Sequence, residues 1–374
     1  MVVIMHEEDV ERGPLDGVRV VDLTTSLGAY TGRLLSDLGA DVVRVDLDGD
    51  RLPRPGVFTE AGKARVTAGR AGLEDLLGTA QILLTSEGPA ALRARDLHPE
   101  DVVRRHLGLV HVSVSPYGLT GPYADRPASD LTLLAAGGLL ALAGDPDREP
   151  VRPWGEQSTV IAGAHAAVAA LLALLTLEAT GRGQVVDLSA QEAVAHSLEN
   201  AVQCLDLEGV LRNRAGSGPL EAGTGLFRCA DGWIYLVGGL GGRPLAWSAI
   251  TEWLLDNGIT EAEALRDERW GERSWRRSPD AATEFRSMFE RFAVHRTKDE
   301  LYEDGQRRGI SIAPVATPAD LLANPQLTER GFFREVTVDG RDLVFPGPPY
   351  RFAGSRVGPR STPDRSGTDE GITA

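Results

Sequence analysis

The chain has 374 residues, 42% of them apolar, and a net charge of −15 from 54 acidic and 39 basic residues. That length and apolar content predict a globular chain with room for two domains and a large buried core. The acidic balance excludes general binding to nucleic acid or to an anionic membrane, which needs a basic face, but leaves open a local site for a phosphorylated ligand.

Residues 1–13 read as a loose polar arm, too acidic for the positive opening of a secretory leader. Val18–Leu23 is a β-branched run that predicts a buried strand. A turn over Thr24–Ala29 leads into an amphipathic helix over Tyr30–Leu38, stopped by Gly39, and Asp41–Asp46 is a second strand. This β-α-β unit predicts a parallel sheet. A Pro/Gly-rich loop follows over Arg51–Gly62, then strands over Gln81–Thr85 and Leu109–Val114 and a loop over Ser115–Asp130. A long Ala/Leu helix over Thr159–Glu178 stops at Thr180-Gly-Arg-Gly183. Its longest apolar run, Ala166–Leu175, is too short to span a bilayer. A strand over Gln184–Leu188 and a helix over Gln191–Leu207 come next. The glycine-rich loop Ala215–Gly225 marks a composition shift, and Gly232–Val237 reads as a strand. Residues 245–305 are charged and helical in pattern, Gly309–Val315 leads into a polar C-terminal part, and Arg356–Ala374 is tail-like.

The two cysteines, Cys204 and Cys229, have no metal-ligand spacing, so no metal is expected and a reduced, cytoplasmic protein is the simplest reading. G-x-S-x-G, P-loop and H-E-x-x-H patterns are absent. Gly28, Gly32 and Asp46 faintly suggest a dinucleotide fingerprint, but G-x-G-x-x-G is missing. Gly238–Arg243 reads as a surface turn or as a backbone cradle for phosphate. Residue chemistry alone stops at a soluble α/β protein with a phosphorylated ligand as one candidate partner.

Several stretches resemble the family III CoA-transferases, the family of formyl-CoA transferase and carnitine CoA-transferase. They are Pro14–Leu23, Leu34–Asp46, Ser113–Pro122 followed by Ser129-Asp130, Thr180–Glu192, Ile312–Asp320 and Asn324–Phe333. The most specific is Thr180-Gly-Arg-Gly-Gln-Val-Val-Asp-Leu-Ser-Ala-Gln-Glu192. The resemblance implies an α/β fold with a Rossmann-like large domain, a smaller α+β domain, and two chains interlocked as rings in a dimer. On that pattern residues 14–200 plus 319–355 form the CoA-binding domain and 221–318 the small one, with 1–13 and 356–374 as flexible termini.

The resemblance also implies a reaction that moves CoA between carboxylic acids, with the acyl-CoA thioester as substrate and no tightly bound cofactor. An aspartate attacks the thioester, giving a mixed anhydride and then an aspartyl-CoA thioester. Here the aspartate's place falls on Thr159, in register with Gly163 and His165. The nearest carboxylate is Glu156, and Tyr117 matches a family active-site tyrosine. Candidate CoA contacts carried over from the family are Lys63, Arg65, Arg93 and Arg95. The racemase branch uses a histidine where this chain has Ser129. Gly28–Leu35 and Glu199–Gly209 resemble heteromeric members such as the benzylsuccinate CoA-transferases, in which one subunit type lacks the aspartate. The expected partners are therefore an acyl-CoA, a carboxylic acid, and either a second copy or an Asp-bearing family member. Alternatives are a non-catalytic acyl-CoA-binding pseudoenzyme and, below it, an acyl-CoA racemase, a dehydratase-associated protein or a nucleotide-dependent oxidoreductase.

Overall fold

The computed structural model describes residues 12–48, 55–214, 216, 221–240, 243–338 and 340–362. The opening arm through residue 11, residues 51–54 of the loop read after the second strand, most of the loop 215–220, Gly241-Gly242 and the tail from 363 lie outside the described residues.

The first compact unit comprises Met1–Ala141, Arg152–Arg212 and Pro325–Ala374. Its elements run β1 (Arg19–Asp22), α1 (Ser26–Asp37), β2 (Asp41–Leu47), α2 (Val57–Glu60), β3 (Ala64–Ala68), α3 (Arg70–Leu77), β4 (Ile82–Thr85), α4 (Pro89–Ala94), α5 (Pro99–Arg105), β5 (Val110–Ser115), α6 (Asp130–Ala136), α7 (Leu139–Leu142, crossing its edge), α8 (Gln157–Thr180), β6 (Val185–Ser189), α9 (Ala190–His196) and α10 (Ala201–Glu208). All six strands are parallel, in the order β3-β2-β1-β4-β5-β6. This is the doubly wound order, with its switch point between β1 and β4.

Burial on both faces explains why β1, β2 and β4 are written as apolar runs. Val20, Val42, Ile82, Leu84, Val110 and Val112 pack under α1 and α8. Val21, Val43, Val45 and Leu83 pack on the other side against Leu73, Leu77, Leu92 and Val102. On β5 the alternate residue His111 is fully buried, and burial, with His98 as a second cause, pushes its pKa down to about 3. It stays neutral and pairs with Thr85 (Nε2 to Oγ1, 2.9 Å).

The structure departs from the sequence reading in several places. Helix α1 begins at Ser26, so the residues read as a turn form its first turn. Part of the loop read over Arg51–Gly62 is the short helix α2, and Ala64–Ala68 is a strand the reading lacked. The helix read over Gln191–Leu207 is two helices, broken where Glu199 takes a positive φ of 56°. At 24 residues, α8 is long and apolar enough to cross a membrane by length and composition, which corrects the reading from Ala166–Leu175. Here one side of it is in the core: Ala162, Gly163, Ala166, Ala170 and Ala173 lie buried, and α1 packs closely along it, while Val168, Leu172 and Leu175 are exposed.

Two glycines explain the Thr180–Glu192 motif. Gly181 ends α8 in the left-handed conformation (φ 69°). A Cβ on Gly183 would lie 1.9 Å from the Leu109 carbonyl oxygen and 2.7 Å from the Leu109 nitrogen. Both are backbone atoms of the residue just before β5, which cannot give way as a side chain would, so Gly183→Ala is expected to destabilise the chain by about 3 kcal/mol, the upper end for overpacking. Urea denaturation of the variant checks this.

The second unit, Leu142–Val151 with Asn213–Asn324, carries β7 (Thr224–Cys229), β8 (Gly232–Val237), the two-residue strands β9 (Gly239–Leu240) and β10 (Arg243–Pro244), helices α11 (Trp247–Asp256), α12 (Arg273–Arg276), α13 (Pro279–Ala293) and α14 (Lys298–Arg307), and β11 (Ser311–Pro314). Its antiparallel sheet has the order β11-β8-β7. Trp253, Trp270, Phe227, Phe285 and Phe289 form its core. Helices α15 (Pro318–Ala323) and α16 (Pro325–Glu329) precede β12 (Phe333–Val338) and β13 (Arg341–Pro346), a hairpin of the first unit.

Candidate functional site

In a parallel sheet the carboxyl ends of all strands share one edge, and ligands bind in the crevice there. At the switch point, Thr25 joins β1 to β4: its N–H donates to Ser86 Oγ (2.6 Å), and the two hydroxyls lie 2.9 Å apart. Beneath them Asp22, fully buried, accepts from Thr24 N–H (2.9 Å), Thr24 Oγ1 (2.6 Å) and Lys63 Nζ (2.7 Å). Burial pushes the Asp22 carboxyl up, but the charges of Lys63 and Arg44 and its hydrogen bonds outweigh that and hold it below the ordinary carboxylate range.

Lys63 also donates to the Ala29 carbonyl (2.9 Å) and to Glu60 Oε1 (3.0 Å). Its three N–H donors are thus all used inside the protein, and its side chain is 1% exposed. Lys63 orders the edge from below and has no donor left for a phosphate. Arg65 reaches Glu60 Oε2 (3.1 Å) and is partly exposed. Gly32 is required by this network: a Cβ there would meet Asp22 Oδ2 at 2.5 Å. Gly28 likewise seats α1 against Thr24 (2.6 Å), and Asp46 lies 3.6 Å from Arg44. The faint dinucleotide pattern is therefore close packing and an ion pair.

A pocket of about 220 Å³ lies over the ends of β2 and β3, lined by Leu47, Ala68, Leu73 and Leu97, with Arg70 and Arg95 among its polar residues. One Arg95 nitrogen donates to both oxygens of Glu87 (2.6 Å each). A second depression of about 440 Å³ is lined by Arg93, His98, Arg104 and Arg105 with Asp96 and Asp101. Among the described residues Arg93 has no ion-pair partner. The structure thus brings Arg93 and Arg95 to neighbouring pockets and sends Lys63 to the interior.

The other focus is the N-terminus of α8. Thr159 lies in its first turn, 6% exposed, and its hydroxyl makes no hydrogen bond among the described residues. Glu156 is the exposed N-cap residue and makes no capping bond. The carboxylate that does meet this helix end is Asp130, from the start of α6. Its Oδ1 accepts from Ser158 N–H (2.9 Å) and Ser158 Oγ (2.8 Å), and its Oδ2 from Arg152 (3.1 Å). A carboxylate at a helix N-terminus is favoured by the free N–H groups and the dipole. Sequence reasoning missed this clamp because Asp130 and Ser158 stand 28 residues apart with no motif joining them.

Ser129, at the racemase histidine's place, closes a capping box with Thr132 at the start of α6. His165 Nδ1–H donates to the Ile161 carbonyl (2.9 Å), and the ring packs edge-on against His196. Tyr117, half-buried after β5, packs edge-on against Tyr123 (6.0 Å). Two of the family-like motifs hold each other here. Asp187 accepts from Leu119 N–H with both oxygens (3.0 and 3.1 Å), and Gln191 N–H donates to the Pro116 carbonyl (3.1 Å). Among the described residues no group of three or more His, Cys, Asp or Glu could hold a metal ion.

A family model described as CoA-transferase family III matches residues 15–370. The chain is 40% identical over 359 residues to the succinyl-CoA:(R)-benzylsuccinate CoA-transferase subunit BbsE of Thauera aromatica, covering 89% of this chain and 87% of that one. It is 28% identical over 358 residues to the alpha subunit of a succinyl-CoA–L-malate CoA-transferase of Chloroflexus aurantiacus, covering 88% and 80%. A crystal structure of a CAIB/BAIF family protein from Brucella suis superposes with a TM-score of 0.79 at 25% identity, covering 94% of this chain and 97% of that one.

Proposed function

The chain belongs to CoA-transferase family III, and from that premise we propose that it binds an acyl-CoA but serves as the Asp-lacking subunit of a heteromeric transferase. The transfer moves CoA between carboxylic acids, with a succinyl thioester as donor, as the names of several relatives suggest. One observation carries the reading. At the place assigned to the acyl-accepting carboxylate stands Thr159, and neither nearby carboxylate replaces it. Asp130 is committed to Ser158 and Arg152, and Glu156 is an exposed helix cap. A hydroxyl without a base cannot accept an acyl group as a carboxylate does.

In this reading the adenine end of CoA lies on the apolar floor of the 220 Å³ pocket, its phosphates meet Arg93 and Arg95, and the pantetheine arm runs along the sheet edge. From β2 to β5 that edge is three strand spacings, about 14 Å. The thioester then reaches the start of α8 near Tyr117. The free thiols Cys204 and Cys229 fit a cytoplasmic site of action.

The uncovered apolar side of the first unit supports an assembly. Val168, Leu172 and Leu175 on α8 and Val202, Leu205 and Leu207 on α10 are all exposed. A surface of this kind marks a protein interface, and two relatives are themselves named as subunits. Co-expression with an Asp-bearing family member is expected to give a complex that sediments well above the 40.0 kDa chain. A chain that stays monomeric at micromolar concentration, alone and with every such partner, would contradict the assembly. The second reading, a non-catalytic acyl-CoA-binding protein, is favoured by the same Thr159. It predicts binding without turnover in any complex.

A further inference from the structure

We propose that a pocket in the second unit receives Trp154 of a second copy of this chain, with Arg152 meeting the acidic rim of that pocket. The contact extends the assembly reading to a pair of like chains and does not depend on acyl-CoA binding. Its anchor is presented on a pinned backbone. Arg152 donates to Asp130 Oδ2 and to the Gly155 carbonyl (3.1 Å each), and Gln157 Nε2 donates to the Trp154 carbonyl (2.8 Å). Gly155 makes the turn with φ 81°. Yet Trp154 is 96% exposed and makes no ring contact or side-chain hydrogen bond among the described residues. An indole held in water on a fixed frame loses little entropy on burial, and tryptophan and arginine are the residue types enriched at the energetic centres of protein interfaces. Its cover has to come from another molecule.

The same chain carries a socket of matching character. Within the second unit a pocket of about 330 Å³ has a floor of Pro244, Trp247, Leu265 and Trp270. The floor is preformed. The Trp247 and Trp270 rings lie 5.3 Å apart, tilted by 31°, and their indole N–H groups donate to the carbonyls of Leu265 (3.0 Å) and Ala264 (2.9 Å). Both polar tips are used, so the rings offer the pocket apolar carbon. Ala246, just before Trp247, holds φ 49°, a strained conformation for a residue with a side chain and one of the kind that clusters at ligand clamps. At the rim Glu252 and Asp267 stand exposed. Glu252 has no ion-pair or hydrogen-bond partner among the described residues, and Asp267 uses one oxygen on the Arg269 N–H (2.9 Å). Arg266, also at the rim, lies 3.4 Å from Glu263. The Arg152 side chain is 48% exposed, so the anchor brings a cation where the socket brings acids. That match favours a like chain as the occupant. Each copy carries a net charge of −15, so two copies repel, and a contact between them needs a local meeting of opposite charge. In a two-fold pair the contact forms twice, because each chain brings both anchor and socket.

The test is photo-cross-linking of the full chain with p-benzoylphenylalanine in place of Trp154, in an equal mixture of isotope-labelled and unlabelled chains, with sedimentation velocity on wild type and variants. Cross-links are expected to join position 154 to residues 244–271 and to pair a labelled chain with an unlabelled one. Wild type is expected to dimerise at micromolar concentration. Trp154→Ala is expected to weaken the dimer at least about 100-fold at any salt concentration, since each dimer loses two anchors. Glu252→Arg is expected to weaken it about tenfold at low salt and hardly at high salt, as screened rim charges do. Both side chains are exposed, so neither change is expected to disturb the fold. Cross-links confined to one chain, or mapped to any other surface, would overturn the proposal. So would a dimer that both variants leave unchanged. A lone chain that stays monomeric but joins an Asp-bearing family member would overturn this contact alone and leave the heteromeric reading standing.

Discussion

Thr159→Asp is expected to give the lone chain a CoA-transfer activity well above the wild-type background. This turn can hold a carboxylate. Thr159 lies in the first turn of a 24-residue helix, where N–H groups and dipole stabilise negative charge. The neighbouring acid, Asp130, is already neutralised by Arg152 and two donors from Ser158, so it opposes a second carboxylate only weakly. The Thr159 hydroxyl has no bond to lose among the described residues. The expected gain is about 100-fold over the wild-type background with succinyl-CoA and a free carboxylic acid. That is a small part of the roughly 10⁶-fold that deleting a nucleophile costs a well-studied hydrolase. The engineered carboxylate has no evolved partner set, which explains the shortfall. Steady-state formation of the product thioester measures it. Wild-type turnover as fast as the variant's would show that another group does the chemistry.

Lys63→Met is the other large effect, on stability. It removes the ammonium that serves Asp22 at 2.7 Å and Glu60 at 3.0 Å, both carboxylates nearly or fully buried. Breaking a buried pair on one side costs about 3–5 kcal/mol when the remaining charge is left alone. Arg44 at 3.7 Å from Asp22 and Arg65 at 3.1 Å from Glu60 remain, so the expected loss lies at the low end of that range. The loss depends on pH in a stated direction. In wild type the Asp22 carboxyl is held below 3.8 despite its burial, chiefly by Lys63 and then Arg44. Its contribution is therefore complete above the unfolded value near 3.8 and is lost as pH falls through the lower folded value. Without Lys63, burial dominates and the carboxyl rises, so acid protonates Asp22 and relieves the variant. Urea midpoints are expected to differ most at neutral pH and to converge toward pH 4. A gap that widens in acid would contradict the network.

How legible the fold was depended on burial pattern. Val18–Leu23, Asp41–Asp46 and Gln81–Thr85 announced themselves because both faces of those strands are covered. Ala64–Ala68 did not, since it is the edge strand and shows alternating exposed residues. The start of α1 was hidden by the small residues around Gly28, which read as a turn but seat the helix on Thr24. The break between α9 and α10 falls at Glu199, with neither Gly nor Pro to signal it. At the site, the sequence singled out Thr159 only through the resemblance. Lys63 was assigned to a ligand through the same resemblance, and neither a motif nor a charge reveals whether a lysine faces water or Asp22. The Asp130–Ser158–Arg152 clamp and the bare face of Trp154 depend on where distant segments meet, which no local pattern records.

Trapping the acyl-enzyme in the heteromer tests the central claim most directly. The chain is co-purified with an Asp-bearing family member and incubated with succinyl-CoA and hydroxylamine, which converts an aspartyl thioester or anhydride to a stable hydroxamate. Both chains are then mapped by mass spectrometry. The account predicts a hydroxamate on the partner's aspartate and none on this chain, with no turnover by this chain alone. A hydroxamate on Glu156 or Asp130, or robust transfer by the lone chain, would contradict it.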